Sequence, residues 1–265
     1  MLKQLVSPVL DAVGNAVLMS PLGDLGTAHR HGSRERKIVA LTFDDGPVSG
    51  GTEDVLDALE QHHAPGTFFF IGANILMHPD IVRRAYQAGH AIGAHSMNHS
   101  RLDTVSFGDA EHIDDCVQAL QDTLGRRTAL YRPPWGWMTP WEARRLHQRG
   151  LAIIRWDLET PDWKVPCPPG DAIAAWTLPQ VRPGTIIVFH DGMTHAERHE
   201  KPETALAVRL LIPALRDQGY DFATIPELLD IPAYTDLGAV SEPSPADRQV
   251  EQQHTAGEAA RSAYL

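Results

Sequence analysis

The stretch I38-V-A-L-T-F-D-D-G-P47 sets the frame for the whole chain. Ile38, Val39, Ala40, Leu41 and Phe43 form the near-continuous apolar run of a strand buried on both faces. Gly46 and Pro47 then turn the chain sharply. Two carboxylates, Asp44 and Asp45, therefore stand side by side at the strand's carboxyl end. A solvated turn with a helix-capping Asp would account for such a pair. So would a site in which one carboxylate takes a proton and the other holds a metal ion, and the rest of the chain has to decide between them.

From Lys37 onward, short apolar runs alternate with segments of helical period. Strands are expected over 38–43, 67–71, 91–94, 129–131, 152–156, 185–189 and 221–223. Helices are expected near 52–62, 79–89, 108–124, 139–149, 171–181 and 203–218, with Thr52 as a capping residue and Pro79 in a first turn. Seven strands alternating with helices imply an α/β fold with parallel pairing in a closed or nearly closed (β/α) barrel of about seven parallel strands. A chain of 265 residues with 43% hydrophobic content suits one such domain. The expected organisation is an N-terminal extension over 1–36 that packs on the barrel, a barrel domain over 37–230 and a tail over 231–265. From about Thr235 the tail is rich in Ser, Pro, Ala, Glu and Gln and lacks periodicity, which reads as disorder.

A formal net charge of −11 argues against nucleic acid or an anionic membrane as partner. Two cysteines, Cys116 and Cys167, cannot supply a disulfide framework or a cysteine-rich zinc site, and nothing implies that they pair. The N-terminal apolar run is interrupted by Asp11 and lacks a clear small-x-small cleavage site. It is also too short and broken for a membrane span. The default expectation is a soluble cytoplasmic monomer, with an extracellular or cell-envelope location as the alternative.

In a barrel the chemistry gathers at the strands' carboxyl ends. After strand 91–94 comes His95-Ser96-Met97-Asn98-His99, two imidazoles four apart that could reach one ion from a short helical turn. The same spacing recurs at His195 and His199 in a polar loop fed by no strand, where mere exposure is the simpler reading, as it is for His62 and His63 at a helix end. Two His and one carboxylate leave open positions on a divalent cation, as a hydrolytic site requires. One Asp is then a ligand and its neighbour is free to accept a proton. Arg132 follows strand 129–131 and could hold a carboxylate ionised and oriented. Pro133 and Pro134 stiffen the loop behind it, so that a backbone N–H near Trp135 could face a developing oxyanion. Asp157 to Trp163 follow the next strand, and His190 with Asp191 follow 185–189. A His in that place can serve as general acid when a nearby carboxylate keeps it protonated.

These clusters resemble the five motifs of the polysaccharide deacetylases with a NodB-type domain, carbohydrate esterase family 4, in order from about Lys37 to Leu229. The motifs are TFDDGP at 42–47, HSMNH at 95–99, RPPWG at 132–136, ETPDW at 159–163 and IIVFHD at 186–191. The fold that the resemblance implies is a distorted (β/α) barrel, in agreement with about seven parallel strands. The resemblance implies Asp44 as catalytic base and Asp45, His95 and His99 as ligands of one divalent metal ion, with zinc expected and cobalt, nickel or manganese also suited. It implies Arg132 as the residue orienting the base, the Trp135 amide as an oxyanion donor, and His190 as general acid tuned by Asp162. Pro133, Pro134, Trp163 and Val188 are implied as substrate-contacting residues. The implied activity is removal of the N-acetyl group from N-acetylhexosamine units of a glycan, chitin-like or peptidoglycan-like. The alternatives are an O-acetyl esterase acting on xylan or a related glycan, and a glycan-binding module without turnover. The chain departs from the family pattern at Glu159 (usually Asp), Trp135 (usually Tyr or Phe) and Val188 (usually Leu).

Overall fold

The structure, a computed structural model, describes residues 14–101, 110–192 and 202–235. Its strands are β1 (Ile38–Asp44), β2 (Thr67–Phe70), β3 (Ala91–Ala94), β4 (Arg127–Thr128), β5 (Leu130–Tyr131), β6 (Ala152–Ile153), β7 (Leu158–Glu159), β8 (Ile186–His190), β9 (Asp221–Phe222) and β10 (Tyr234–Thr235). Seven of them form a curled, all-parallel half-barrel in the order β6-β5-β3-β2-β1-β8-β7. The fold is therefore the expected α/β barrel type, left open between its edge strands. β9 adds to β1 on the edge opposite β8: Val39 O accepts from Ala223 N, whereas Ile38 O accepts from Gly184 N.

Four expected strands (67–71, 129–131, 152–156 and 221–223) are shorter than their apolar runs, and β4, β7 and β10 are additions. Ile154 still donates to Tyr131 O on one side and bridges His29 on the other, and the chain turns before pairing again at Leu158. The segment 29–32 spans the open edge. His29 N donates to Ile153 O and His29 O accepts from Arg155 N, while His31 bridges Thr185 at the entry to β8. Arg155 is buried, paired with buried Asp24 at 3.0 Å, and donates to the carbonyls of Leu18 and Met19. Part of the expected N-terminal extension thus closes the barrel's seam. At the other end, the compact unit continues past the expected boundary at 230 to Thr235. There β10 pairs antiparallel with β4 and the Tyr234 hydroxyl accepts from Ile92 N. The remainder of the expected tail lies outside the described residues, as do His195 and His199.

β1 shows why one apolar run can serve two faces. Leu41 and Phe43 point outward with Phe68, Phe70, Ile187 and Phe189 into the layer beneath the helices, where Phe43 stacks on Phe68 at 4.9 Å. Ala40 points inward with Phe69, Leu130, Ile154 and Ile186. Phe43 is fully buried, and its loss to Ala would cost about 3–5 kcal/mol. Alternation then directs Thr42 and Asp44 to the inner face, where the barrel mouth opens.

Eight α-helices are described: α1 (Gly51–Gln61), α2 (Gly72–Met77), α3 (Pro79–Gln87), α4 (Glu111–Leu124), α5 (Pro140–Gln148), α6 (Gly170–Thr177), α7 (Pro202–Asp217) and α8 (Ile225–Leu229). Local signals set their starts. Glu53 accepts the Gly50 N–H at the head of α1, and Thr139 accepts the Glu142 N–H at the head of α5. α2 was not foreseen: six residues are too few to reveal a helical period. Both cysteines are free thiols.

Candidate active site

Asp44 is the last residue of β1 and almost wholly buried. Arg132, entering from the end of β5, donates from one Nη1 to Asp44 Oδ1 and to Thr42 Oγ1, both at 2.8 Å. Its remaining donors meet the carbonyls of Ile154 and Arg155, and its guanidinium lies over the Phe69 ring at 4.1 Å. Arg132 is itself completely buried, so the pair is desolvated and its geometry fixed from several sides. The arrangement fixes Asp44 with Oδ2 turned to the other side, 3.9 Å from His95 Nε2.

Asp45 faces the two imidazoles. Its Oδ1 lies 3.5 Å from His95 Nε2 and 3.3 Å from His99 Nε2, and the three side chains form the one group among the described residues able to hold a metal ion. His95 Nδ1 sits 2.7 Å from the Arg132 carbonyl, which can only accept, so Nδ1 carries the proton and Nε2 is left with its lone pair. Arg132 thereby orients the base through its side chain and an imidazole through its backbone. Asp45 Oδ1 is buried without a hydrogen bond, a costly state unless something positive joins it. Burial would raise the Asp45 carboxyl, yet the surrounding His99, His95 and His190 outweigh that and hold it far below the carboxylate range. Burial opposes charge on His95, but Asp44 and Asp45 prevail and raise it. Burial takes His99 down to about 4 in spite of Asp45. Carboxylates crowded together call for positive charge here, and an N,N,O donor set with an orphaned oxygen fits a divalent cation.

The two imidazoles do not come from the helical turn expected of HSMNH. The segment is an irregular bend with Ser96 at φ 63° and His99 at φ 48°, closed by Ser96 Oγ accepting the His99 N–H at 3.0 Å. Asp45 (φ 77°) and Trp135 (φ 53°) share this left-handed backbone. Of the eight non-glycine residues with positive φ among those described, four thus gather at one site, each held against a cost of order 1–3 kcal/mol.

On the neighbouring strand, His190 Nδ1 meets Asp162 Oδ1 at 2.9 Å while its backbone N–H donates to Asp162 Oδ2 at 2.8 Å. Thr160 and Thr204 each donate a hydroxyl to the same carboxylate at 2.9 Å. Burial would depress His190, but Asp162 first, with Asp45 and Asp44 behind it, lifts the imidazole to about 9. With Nδ1 occupied, Nε2 is the nitrogen that can hand on a proton.

The Trp135 ring lies 4.3 Å from the His99 ring, tilted at 58° to it, and is half-buried. Pro133 and Pro134 are buried and Val188 has no exposed surface, so these three lie beneath the site's lining, whereas Trp163 is 48% exposed at its edge. Glu159 is exposed at the end of β7. Several supporting residues were not legible as such: Thr42, Thr160 and Thr204 in the hydrogen bonds above, Asn74, which donates to Asp45 O at 2.8 Å, and Asp191. Only Asp191 had a visible signal, its place beside His190. Burial foremost, then repulsion from Asp45, lifts its carboxyl to about 7 against the lowering hydrogen bond from Thr52.

Residues 31–153 match the family model described as polysaccharide deacetylase. The peptidoglycan-N-acetylglucosamine deacetylase PgdA of Listeria monocytogenes is 34% identical over 197 residues, 74% of this chain and 40% of that protein. This chain therefore spans less than half the length of that relative. A chitooligosaccharide deacetylase of Sinorhizobium fredii is 33% identical over 216 residues, 79% of this chain and 99% of its own. Among solved structures, the Bc1960 peptidoglycan N-acetylglucosamine deacetylase aligns with a TM-score of 0.73 at 29% identity, over 79% of this chain and 95% of that one.

Proposed function

The chain belongs to the polysaccharide deacetylase family, and on that premise we propose that it removes the N-acetyl group from N-acetylhexosamine units of a chitin-like or peptidoglycan-like glycan, releasing acetate. The observation that carries this is the buried convergence of Asp45, His95 and His99 beside an Arg-held Asp44. Asp45, His95 and His99 would hold one divalent cation, zinc being the first to test. When bound, it would supply Lewis acidity to the attacking water and to the acetyl carbonyl. Asp44, held in place by Arg132, takes the proton from that water. The Trp135 amide, set by its left-handed turn behind Pro133 and Pro134, donates to the oxyanion as the carbonyl becomes tetrahedral. His190, held protonated by Asp162, delivers its proton to the departing amine nitrogen as the C–N bond breaks. Trp163 offers an exposed aromatic face to the sugar, and Val188 supports the acyl end from below.

The test is acetate release from a panel of N-acetylated and O-acetylated oligosaccharides, with the metal stripped by chelator and restored. Zinc-dependent acetate from the N-acetylated members is the expected result. Release from O-acetylated xylan alone would make the protein an esterase, and no release from either with zinc bound would leave a binding module.

A further inference from the structure

Asp191 is fully buried, ionisable and unused in the chemistry above. Its Oδ1 accepts the Gly46 N–H at 3.1 Å, and its Oδ2 accepts the Thr52 hydroxyl at 2.6 Å. Its own N–H donates to Asp44 O at 3.1 Å. Thr52 Oγ1 in turn accepts from Val48 N, so the whole turn after β1 is threaded onto one carboxylate. From the other side, Asn74 Nδ2 donates to Asp45 O at 2.8 Å. The packing leaves no slack: a Cβ on Gly46 would meet Asp191 Oδ2 at 2.3 Å, and one on Gly192 would meet Asp45 O at 2.6 Å. Between these contacts sits Asp45 in a left-handed conformation that costs an L-residue energy to hold.

We propose that Asp191 and Asn74 are positioning residues for the metal: they clamp the peptides on either side of Asp45, fixing the backbone turn that aims its carboxylate at His95 and His99. This rests on the metal-site reading above. Asp191→Asn removes the charge and one of the two acceptors. Its amide oxygen can still serve the Gly46 N–H, but its NH2 can then only donate to Thr52 Oγ1, which reverses the Thr52 hydroxyl and loses the charged acceptor on that side. Asn74 carries no charge, so its removal tests geometry separately from electrostatics.

Zinc affinity is measured by competition with a chromophoric chelator in the wild type, Asp191→Asn and Asn74→Ala, together with thermal melting of each zinc-free protein. The expected result is one zinc per wild-type chain, and roughly 10–100-fold weaker binding in each variant at temperatures where its zinc-free form is folded. Zinc affinity within about threefold of wild type in both variants, with only the melting temperature lowered, would overturn the proposal and leave the metal site intact. No zinc bound by the wild type would instead overturn the metal site and the clamp with it. Should Asp191→Asn fail to fold, Asn74→Ala decides alone, because Asn74 is only half-buried on the short helix α2.

Discussion

Replacing Asp162 with Asn should move the alkaline limit of activity. Among the described residues that carboxylate accepts from His190 Nδ1, His190 N, Thr160 and Thr204. An amide placed there keeps one accepting oxygen, and its NH2 facing His190 Nδ1 is met only if that nitrogen accepts, which a neutral imidazole can do and an imidazolium cannot. The charge that lifts His190 to about 9 disappears, while the burial that depresses it remains. The imidazole should then titrate at or below its ordinary 6.5. A general acid acts in its protonated form, so a lowered pKa withdraws activity first at high pH. At pH 8 the protonated fraction falls from roughly nine-tenths to about one-thirtieth, a loss of ~30-fold from protonation alone. By pH 5.5 that part of the deficit should vanish, leaving only what the disturbed ring orientation costs. The measurement is kcat/KM for acetate release from an N-acetylated chitin oligomer at saturating zinc, from pH 5.5 to 9.5. An alkaline limb that stays near pH 9, or a deficit of equal size at every pH, would refute the tuning role and reduce Asp162 to a structural acceptor.

Asp44→Asn should retain zinc while losing ~10²–10⁴-fold in turnover, the usual share of a general base; zinc titration alongside single-turnover rates separates the two. Arg132→Ala should be costly to the fold as well as to catalysis, because it strands a buried carboxylate and empties space beside Phe69; urea denaturation should register a loss of about 3–5 kcal/mol. A chain ending at Thr235 should melt like the full chain and keep its activity, since the residues beyond are poor in apolar side chains. One ending at residue 230 should be less stable by ~1–2 kcal/mol, having lost the β4–β10 pairing and the Tyr234–Ile92 hydrogen bond.

The strand ends were legible in the chain because their signals are local. An apolar run of four to seven residues followed by a Gly-Pro turn, or by a burst of His, Asp and Arg, marks a buried strand and its mouth whatever surrounds it. That logic located Asp44, Asp45, His95, His99, Arg132 and His190, the family resemblance added Asp162, and the structure brings all seven together. It could not see β7, where two residues are too few to show any period. Nor could it foresee that His29 would bridge Ile154 at the free edge of β6. The left-handed turns at Asp45, Ser96, His99 and Trp135 carry no glycine to announce them, and the four-residue spacing of His95 and His99 points to a helical turn that the segment does not form. The contacts around Asp45 and His95 come from partners distant in sequence: Asp191 on the Gly46 amide, Asn74 on the Asp45 carbonyl, the Arg132 carbonyl on the His95 ring. Residue pattern states which side chains stand at the mouth of the barrel. Only closure of the curled sheet, which brings Arg132 to Asp44 and β8 alongside β1, supplies the hydrogen bonds that decide where those side chains point.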